Sequence, residues 1–129
     1  MAFNILLVDD SMTVRAVIKK ALTLAGVDVG NIYEAENGAV ALEVLDKEWV
    51  DLVFADISMP VMDGEQFVTK LNESGAIQEL PVVIVSSAGS EPRIARLKSL
   101  GVRDYIQKPF TPEQIREVVD SVMGVASHE

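Results

Sequence analysis

Apolar positions along this chain follow two rhythms that alternate. Ile5-Leu6-Leu7-Val8, Leu52-Val53-Phe54-Ala55 and Val82-Val83-Ile84-Val85 are short unbroken runs, the pattern of strands buried on both faces. Between them the apolar residues recur at helical spacing. A first helix is predicted from about Met12 to Ala25, with Val14, Ile18, Ala21, Leu22 and Ala25 on one face and Gly26 ending it. Ile32 to Ala35 reads as a shorter, more polar strand at a sheet edge. Asn37-Gly38 makes a turn into a second helix, through about Asp46, with Ala41, Val44 and Leu45 inward. Pro60 marks a loop after the third strand, and a third helix runs from about Gly64 to Glu73. Pro81 opens the fourth strand, and Ser86 to Ser90 reads as a flexible loop. A fourth helix spans about Glu91 to Leu100, with Pro92 in its first turn, and a weak fifth strand lies near Asp104 to Ile106. Thr111 and Gln114 have capping-box spacing. Behind them, Ile115, Val118, Val119, Val122 and Met123 form the last apolar stripe. Five βα units in succession predict an α/β fold with a parallel sheet and right-handed crossovers.

Four of the five strands run into a residue able to handle a phosphoryl group. The first ends on Asp9-Asp10, the third on Asp56, the fourth on Ser86, and the fifth leads to Lys108-Pro109. In open parallel sheets ligands bind beyond the carboxyl ends of the strands. Strands lying side by side would bring three carboxylates, a hydroxyl and an ammonium together. Three carboxylates repel one another unless a cation joins them. The expected site is a metal-dependent acidic pocket faced by one lysine.

Composition narrows the classes. The 129 residues suit one domain, residues 1–129, with no linker, repeat or room for an output domain. There is no cysteine, which excludes disulfides and thiolate metal sites. The single histidine, His128, stands at the C-terminus, away from any cluster or triad. A net charge of −9 argues against nucleic acid as a partner. No apolar stretch approaches the ~20 residues of a membrane helix. Met1-Ala2-Phe3-Asn4 has no signal-peptide pattern, so a cytoplasmic protein without membrane contact is expected.

The ordered set Asp9-Asp10, then Asp56-Ile57-Ser58-Met59-Pro60-Val61-Met62-Asp63-Gly64, then Ser86, then Lys108-Pro109-Phe110 resembles the receiver domain of two-component response regulators. The resemblance covers the whole chain and is nearest to single-domain chemotaxis regulators of the CheY type. It implies a flavodoxin-like (βα)5 fold with strand order 2-1-3-4-5 and helices on both faces. It implies Asp56 as phosphoacceptor, fed by a histidine kinase. Mg2+ would be held by Asp9, Asp10, Asp56 and the backbone carbonyl of Ser58. Ser86 and Lys108 would contact the phosphoryl group, and Ser86 with Tyr105 would form a switch. It further implies a cis Lys108-Pro109 bond. The output face would lie on the fourth helix, fifth strand and fifth helix, where Arg93, Arg96, Lys98 and Arg103 cluster. The expected protein is a monomeric signalling switch rather than an enzyme. Its target would be the flagellar motor switch or another protein of a phosphorelay.

The residue chemistry agrees with these roles. Aspartate can accept a phosphoryl group as an acyl phosphate. Mg2+ prefers oxygen ligands and bridges carboxylates to phosphate. Lysine meets phosphate as a point charge. Plainer readings exist. Asp9-Asp10 could cap the first helix, Ser87 could supply the hydroxyl in place of Ser86, and Tyr105 could be packing. Met59 and Met62 read as packing, and Asp63-Gly64 as a helix start. Ser58, Ser87 and Ala88 depart from common receiver residues, which puts the phosphoryl lifetime in question. A haloacid-dehalogenase-like phosphatase would need a second acid two residues beyond the nucleophile, and Ser58 stands there. An FMN-binding protein of this fold would need a glycine-rich phosphate loop after the first strand, where Asp9-Asp10 stands instead.

Overall fold

The computed structural model describes residues 2–87 and 91–124. Strands and helices alternate strictly: β1 (Phe3–Val8), α1 (Met12–Leu24), β2 (Val29–Ala35), α2 (Gly38–Lys47), β3 (Leu52–Ala55), α3 (Gly64–Ser74), β4 (Val82–Ser86), α4 (Glu91–Ser99), β5 (Asp104–Gln107) and α5 (Pro112–Met123). The five strands pair in parallel in the order β2-β1-β3-β4-β5. The predicted α/β architecture and strand order are those observed.

Period-2 alternation explains why the three central strands are apolar throughout. Leu6, Val8, Val53, Ala55, Val82 and Ile84 face one side, where Ala41, Phe67, Val68, Leu71 and Leu97 of α2, α3 and α4 cover them. Ile5, Leu7, Leu52, Phe54, Val83 and Val85 face the other, against Ile18, Ala21, Leu22, Ile115 and Val119 of α1 and α5. Both cores are therefore legible in two residue sets one position apart. A polar replacement on either set would be buried without a partner.

Helix starts follow from side-chain oxygens at the right offset. Ser11, Asn37, Asp63 and Thr111 each accept a backbone N–H three residues on. Thr111 and Gln114 form the predicted capping box, and Asp63 and Gln66 form a second. Three details depart from expectation. β2 begins at Val29 rather than Ile32, because Asn4 Oδ1 accepts the Asn31 N–H at 2.9 Å and ties the polar start of that strand to β1. β5 runs one residue further, to Gln107, which pairs with Ser86. A 3-10 turn, Ala76–Gln78, lies between α3 and β4 and buries Ile77. The flexible-loop reading of Ser86 to Ser90 falls partly, and those of Ala88 and His128 wholly, outside the described residues. No helix among the described residues is long and apolar enough to cross a membrane.

Candidate functional site

Register brings the strand ends together. Val8 pairs with Ala55, so Asp9 and Asp56 leave the sheet side by side. Ala55 pairs with Ile84 and Ser86 with Gln107, which puts Ser86 and Lys108 one to two residues further along the same rim. Backbone bonds hold these ends in place. The Asp9 N–H donates to Ala35 O at 3.0 Å, the Asp56 N–H to Val8 O at 2.9 Å, and the Lys108 N–H to Ser86 O at 3.0 Å.

Lys108 lies between the acids. Its Nζ is 3.2 Å from Asp9 Oδ2 and 3.5 Å from Asp56 Oδ2. One carboxylate oxygen from each of Asp9, Asp10 and Asp56 falls within 4.8 Å of the others. Asp9 is buried at 2 % exposure, Asp56 is half-buried and Asp10 is exposed. Three carboxylates against one ammonium leave a formal charge of −2 on the cluster. All-oxygen donors, partly open to solvent and short by two positive charges, fit Mg2+, which keeps several waters and takes few protein carboxylates.

Burial pushes the Asp9 carboxyl above the usual aspartate range. The Ser11 N–H, which Asp9 Oδ1 accepts at 2.9 Å, and the Lys108 ammonium oppose that rise, while the Asp56 charge adds to it. Asp9 thus carries its charge at a cost that a bound cation relieves. The Asp56 Oδ1 atom accepts the Ile57 N–H at 2.7 Å, so one carboxylate oxygen is engaged locally while Oδ2 faces Lys108.

Ser86 closes β4 at 4 % exposure, while Ser87 is exposed. The Tyr105 hydroxyl donates to the Ser86 carbonyl at 3.2 Å, and its half-buried ring packs on the core shared by α2, α3 and α4. Ser58 is exposed in the loop between β3 and α3. The Lys108-Pro109 bond is cis, as the resemblance implied. Met59 and Met62 pack against the core as expected, and Ser11, not Asp9 or Asp10, caps α1.

The contacts of three residues were not legible in the sequence. Arg15 donates to the Asp9 carbonyl and, through Nε at 2.8 Å, to Glu34, which Lys19 also contacts at 2.7 Å. Those two cations hold the Glu34 carboxyl below its usual range. The helical offset of Arg15 and Lys19 was a usable signal; their shared partner on β2 was not. Gly64 is the second: a Cβ there would meet Asp56 O at 2.2 Å and Ile57 Cα at 2.8 Å. The third is Glu65, whose carboxylate lies 3.8 Å from Arg93 Nε and 3.1 Å from Arg96 Nε. Part of the basic cluster on α4 is therefore already paired with α3.

A doubly wound parallel sheet with this acidic and lysine rim at its carboxyl ends is the form of a receiver domain. Residues 5–120 match the model of the response regulator receiver domain, and the chain belongs to that family, whose members are signalling switches of two-component systems. It is 36 % identical over 127 residues to the chemotaxis protein CheY homolog of Campylobacter jejuni, covering 98 % of this chain and 96 % of that one. The Vibrio cholerae chemotaxis protein CheY4 superposes with a TM-score of 0.82 at 27 % identity, over 95 % of this chain and 99 % of that one. The receiver domain of a Pseudomonas aeruginosa sensor histidine kinase, which holds a magnesium ion in its active-site cleft, shares the fold at a TM-score of 0.81. Its identity is 20 %, over 96 % of this chain and 99 % of that one.

Proposed function

We propose that this single receiver domain, residues 1–129, accepts a phosphoryl group on Asp56 from a phosphohistidine of a partner kinase and thereby changes its affinity for a target protein. The observation that supports this most is the meeting of Asp9, Asp10, Asp56 and Lys108 at one rim of the sheet. In the step itself, Asp56 Oδ2 attacks phosphorus, the P–O bond forms and the P–N bond to the donor imidazole breaks. An ionised carboxylate needs no general base. Lys108 moves its charge from Asp56 Oδ2 onto the phosphoryl oxygens, still anchored by Asp9. Asp9, Asp10, Asp56 and the Ser58 carbonyl would hold Mg2+, which would supply charge neutralisation for the incoming group. Ser86 contributes its hydroxyl to a phosphoryl oxygen. Ser58 and Ala88 bear on the phosphoryl lifetime, and Ser87 narrows access to the site. A chemotaxis role, with the flagellar motor switch as target, is the reading we favour, from the likeness to chemotaxis regulators. A monomer in the cytoplasm suits it.

The test is to incubate the protein with a small acyl phosphate and Mg2+ and follow intact mass. One adduct per chain, lost in excess chelator, supports the switch. Continuous turnover of a generic phosphomonoester would instead favour a phosphatase.

Mg2+ is expected to stabilise the fold. A ligand bound only to the native state contributes about 1.4 kcal/mol at ten times its Kd. For a chain of this size that is roughly a 5 °C rise in melting temperature. The sign of the pH dependence follows from Asp9. Its raised folded pKa favours the metal-free fold below the unfolded aspartate value, and that advantage is lost as pH rises through the folded value. Mg2+ needs the ionised form, so its stabilising effect grows over the same window. Metal-free Asp10→Asn should melt at or slightly above wild type, since one repelling charge is gone. Thermal melts across pH with and without millimolar Mg2+ decide both points; a midpoint unmoved by saturating Mg2+ contradicts the site.

In this reading the output surface is α4, β5 and α5. Ser86 drawn toward the phosphoryl group would shift the carbonyl that holds the Tyr105 hydroxyl, freeing the ring to change position. A target bound by phosphorylated wild type should bind Tyr105→Ala and Arg93→Ala/Arg96→Ala more weakly. Equal affinities for all three move the surface elsewhere.

A further inference from the structure

The chain has one tryptophan, Trp49, and it is 76 % exposed. It lies between α2 and β3, at the amino end of the strands. The four residues of β3 separate Asp51 from Asp56, about 13 Å of strand. Nothing in the acidic rim involves it. Exposure on this scale is unusual for a side chain so large and apolar, and it coincides with a groove of about 970 Å³.

The groove has an apolar floor. Leu42 and Leu45 of α2, Leu71 of α3, and Leu80-Pro81 ahead of β4 supply it, and Met123 at the end of α5 closes one side. Its rim is charged with one dominant sign: Asp46, Glu48, Asp51 and Glu79 against the single base Lys70.

The indole is also held in place. Trp49 Nε1 donates to Asp51 Oδ1 at 2.9 Å. The other oxygen of Asp51 accepts the Asn4 N–H at 2.8 Å, and the Asn4 side-chain amide donates to Trp49 O at 3.1 Å. A large apolar ring fixed before binding loses little conformational freedom when a partner arrives. Rigid tryptophans beside an apolar pocket are the usual anchors of protein interfaces.

We infer that this groove is a docking site for a basic amphipathic helix of a partner protein, with Trp49 as its anchor. The apolar stripe of such a helix lies along the leucine floor, in the manner of helix-in-groove recognition. Its Lys or Arg residues meet the four rim carboxylates. The charge balance of the rim selects this occupant over an acidic or neutral one. The site is independent of the phosphorylation reading, because it lies at the other end of the sheet. It would tether a partner whether or not Asp56 is modified.

Trp49 is its own reporter. The full chain is titrated with a synthetic, tryptophan-free Leu/Lys peptide that forms an amphipathic helix, and indole emission is followed. A saturable blue shift is expected, with none from the Leu/Glu counterpart. Asp46→Asn/Glu79→Gln should weaken binding by about fivefold. Glu113→Gln/Glu117→Gln removes the same charge from an exposed stretch of α5 nearer its start and should change affinity by less than about twofold. Trp49→Ala, followed by calorimetry, should lose about tenfold or more. Exposure of the side chain makes it safe for folding. Equal weakening by the two charge-removing variants would reduce the effect to the overall negative charge and overturn the site. So would peptide binding that leaves the indole emission unmoved. A shift that follows protein concentration alone, with a dimer in sedimentation, would assign the groove to a second copy and overturn the helix.

Discussion

Asp56→Asn is expected to abolish covalent phosphorylation while leaving the fold intact. The amide is nearly isosteric with the carboxylate and keeps an oxygen for the Ile57 N–H. It offers no anionic oxygen to attack phosphorus, so the acyl phosphate cannot form. Lys108 keeps one partner in Asp9 at 3.2 Å, so the variant leaves no unpaired buried ammonium. Removing one of three neighbouring carboxylates also relieves repulsion in the metal-free state. The expected outcome is therefore complete loss of the mass adduct from a small acyl phosphate, with a metal-free melting temperature equal to or above wild type. Peptide mapping of the wild-type adduct should place it on the segment containing Asp56. An adduct that persists in Asp56→Asn would remove Asp56 from its proposed role.

Gly64→Ala should be among the most damaging small substitutions in the chain. Gly64 opens α3, and its N–H donates to Ile57 O at 2.7 Å, which draws the helix start against the end of β3. The added methyl would meet Asp56 O at 2.2 Å and Ile57 Cα at 2.8 Å, both backbone atoms that no rotamer change can move. Overpacking of this kind costs about 1–3 kcal/mol. A cost of about 2 kcal/mol corresponds to a fall of roughly 7 °C in melting temperature for a domain of this length. Because the clash falls on the residue proposed to accept the phosphoryl group, the rate of labelling should drop along with stability. Gly75→Ala is the control. Position 75 has φ of +80° but open space around its Cβ, so that variant loses stability through backbone strain and keeps its labelling rate. A Gly64→Ala protein that melts within about 2 °C of wild type would discard the packing argument.

The two glycines show where sequence reasoning stops. Asp63-Gly64 was legible as a helix start, and the structure has that start with a capping box. A capping offset is local, set by residues three apart, so a linear reading can find it. That Gly64 must be glycine because Asp56 passes beneath it depends on how the eight-residue loop 56–63 folds back. Nothing within a helical turn of Gly64 encodes that. The same loop carries Val61 at φ +67°, a conformation a β-branched residue resists. Its anchor is remote as well: Gly38, at the start of α2, donates to Met62 O at 2.8 Å.

Charge pairing divides in the same way. The basic residues of α4 were visible as a cluster, but not the Glu65 carboxylate that faces Arg93 and Arg96. The sequence separations are 28 and 31 residues, and no spacing rule spans them. Arg15 is similar, since its contacts with Asp9 and Glu34 join α1 to β1 and β2. The Trp49 groove needed α2, α3 and α5 to be assembled before its floor existed.

Period and end chemistry by themselves determined the fold class, both core faces, most helix starts, and which residues stand at the carboxyl ends of the strands. Backbone geometry makes those features local: side chains alternate along a strand and repeat along a helix whatever the rest of the chain does. Tertiary structure alone decided that Lys108 rests between Asp9 and Asp56, that Asp9 is the buried acid and Asp10 the exposed one, and that Gly64 presses on Asp56. Those outcomes rest on strand register and on how far each loop turns back, and both are set by packing between segments up to 99 residues apart.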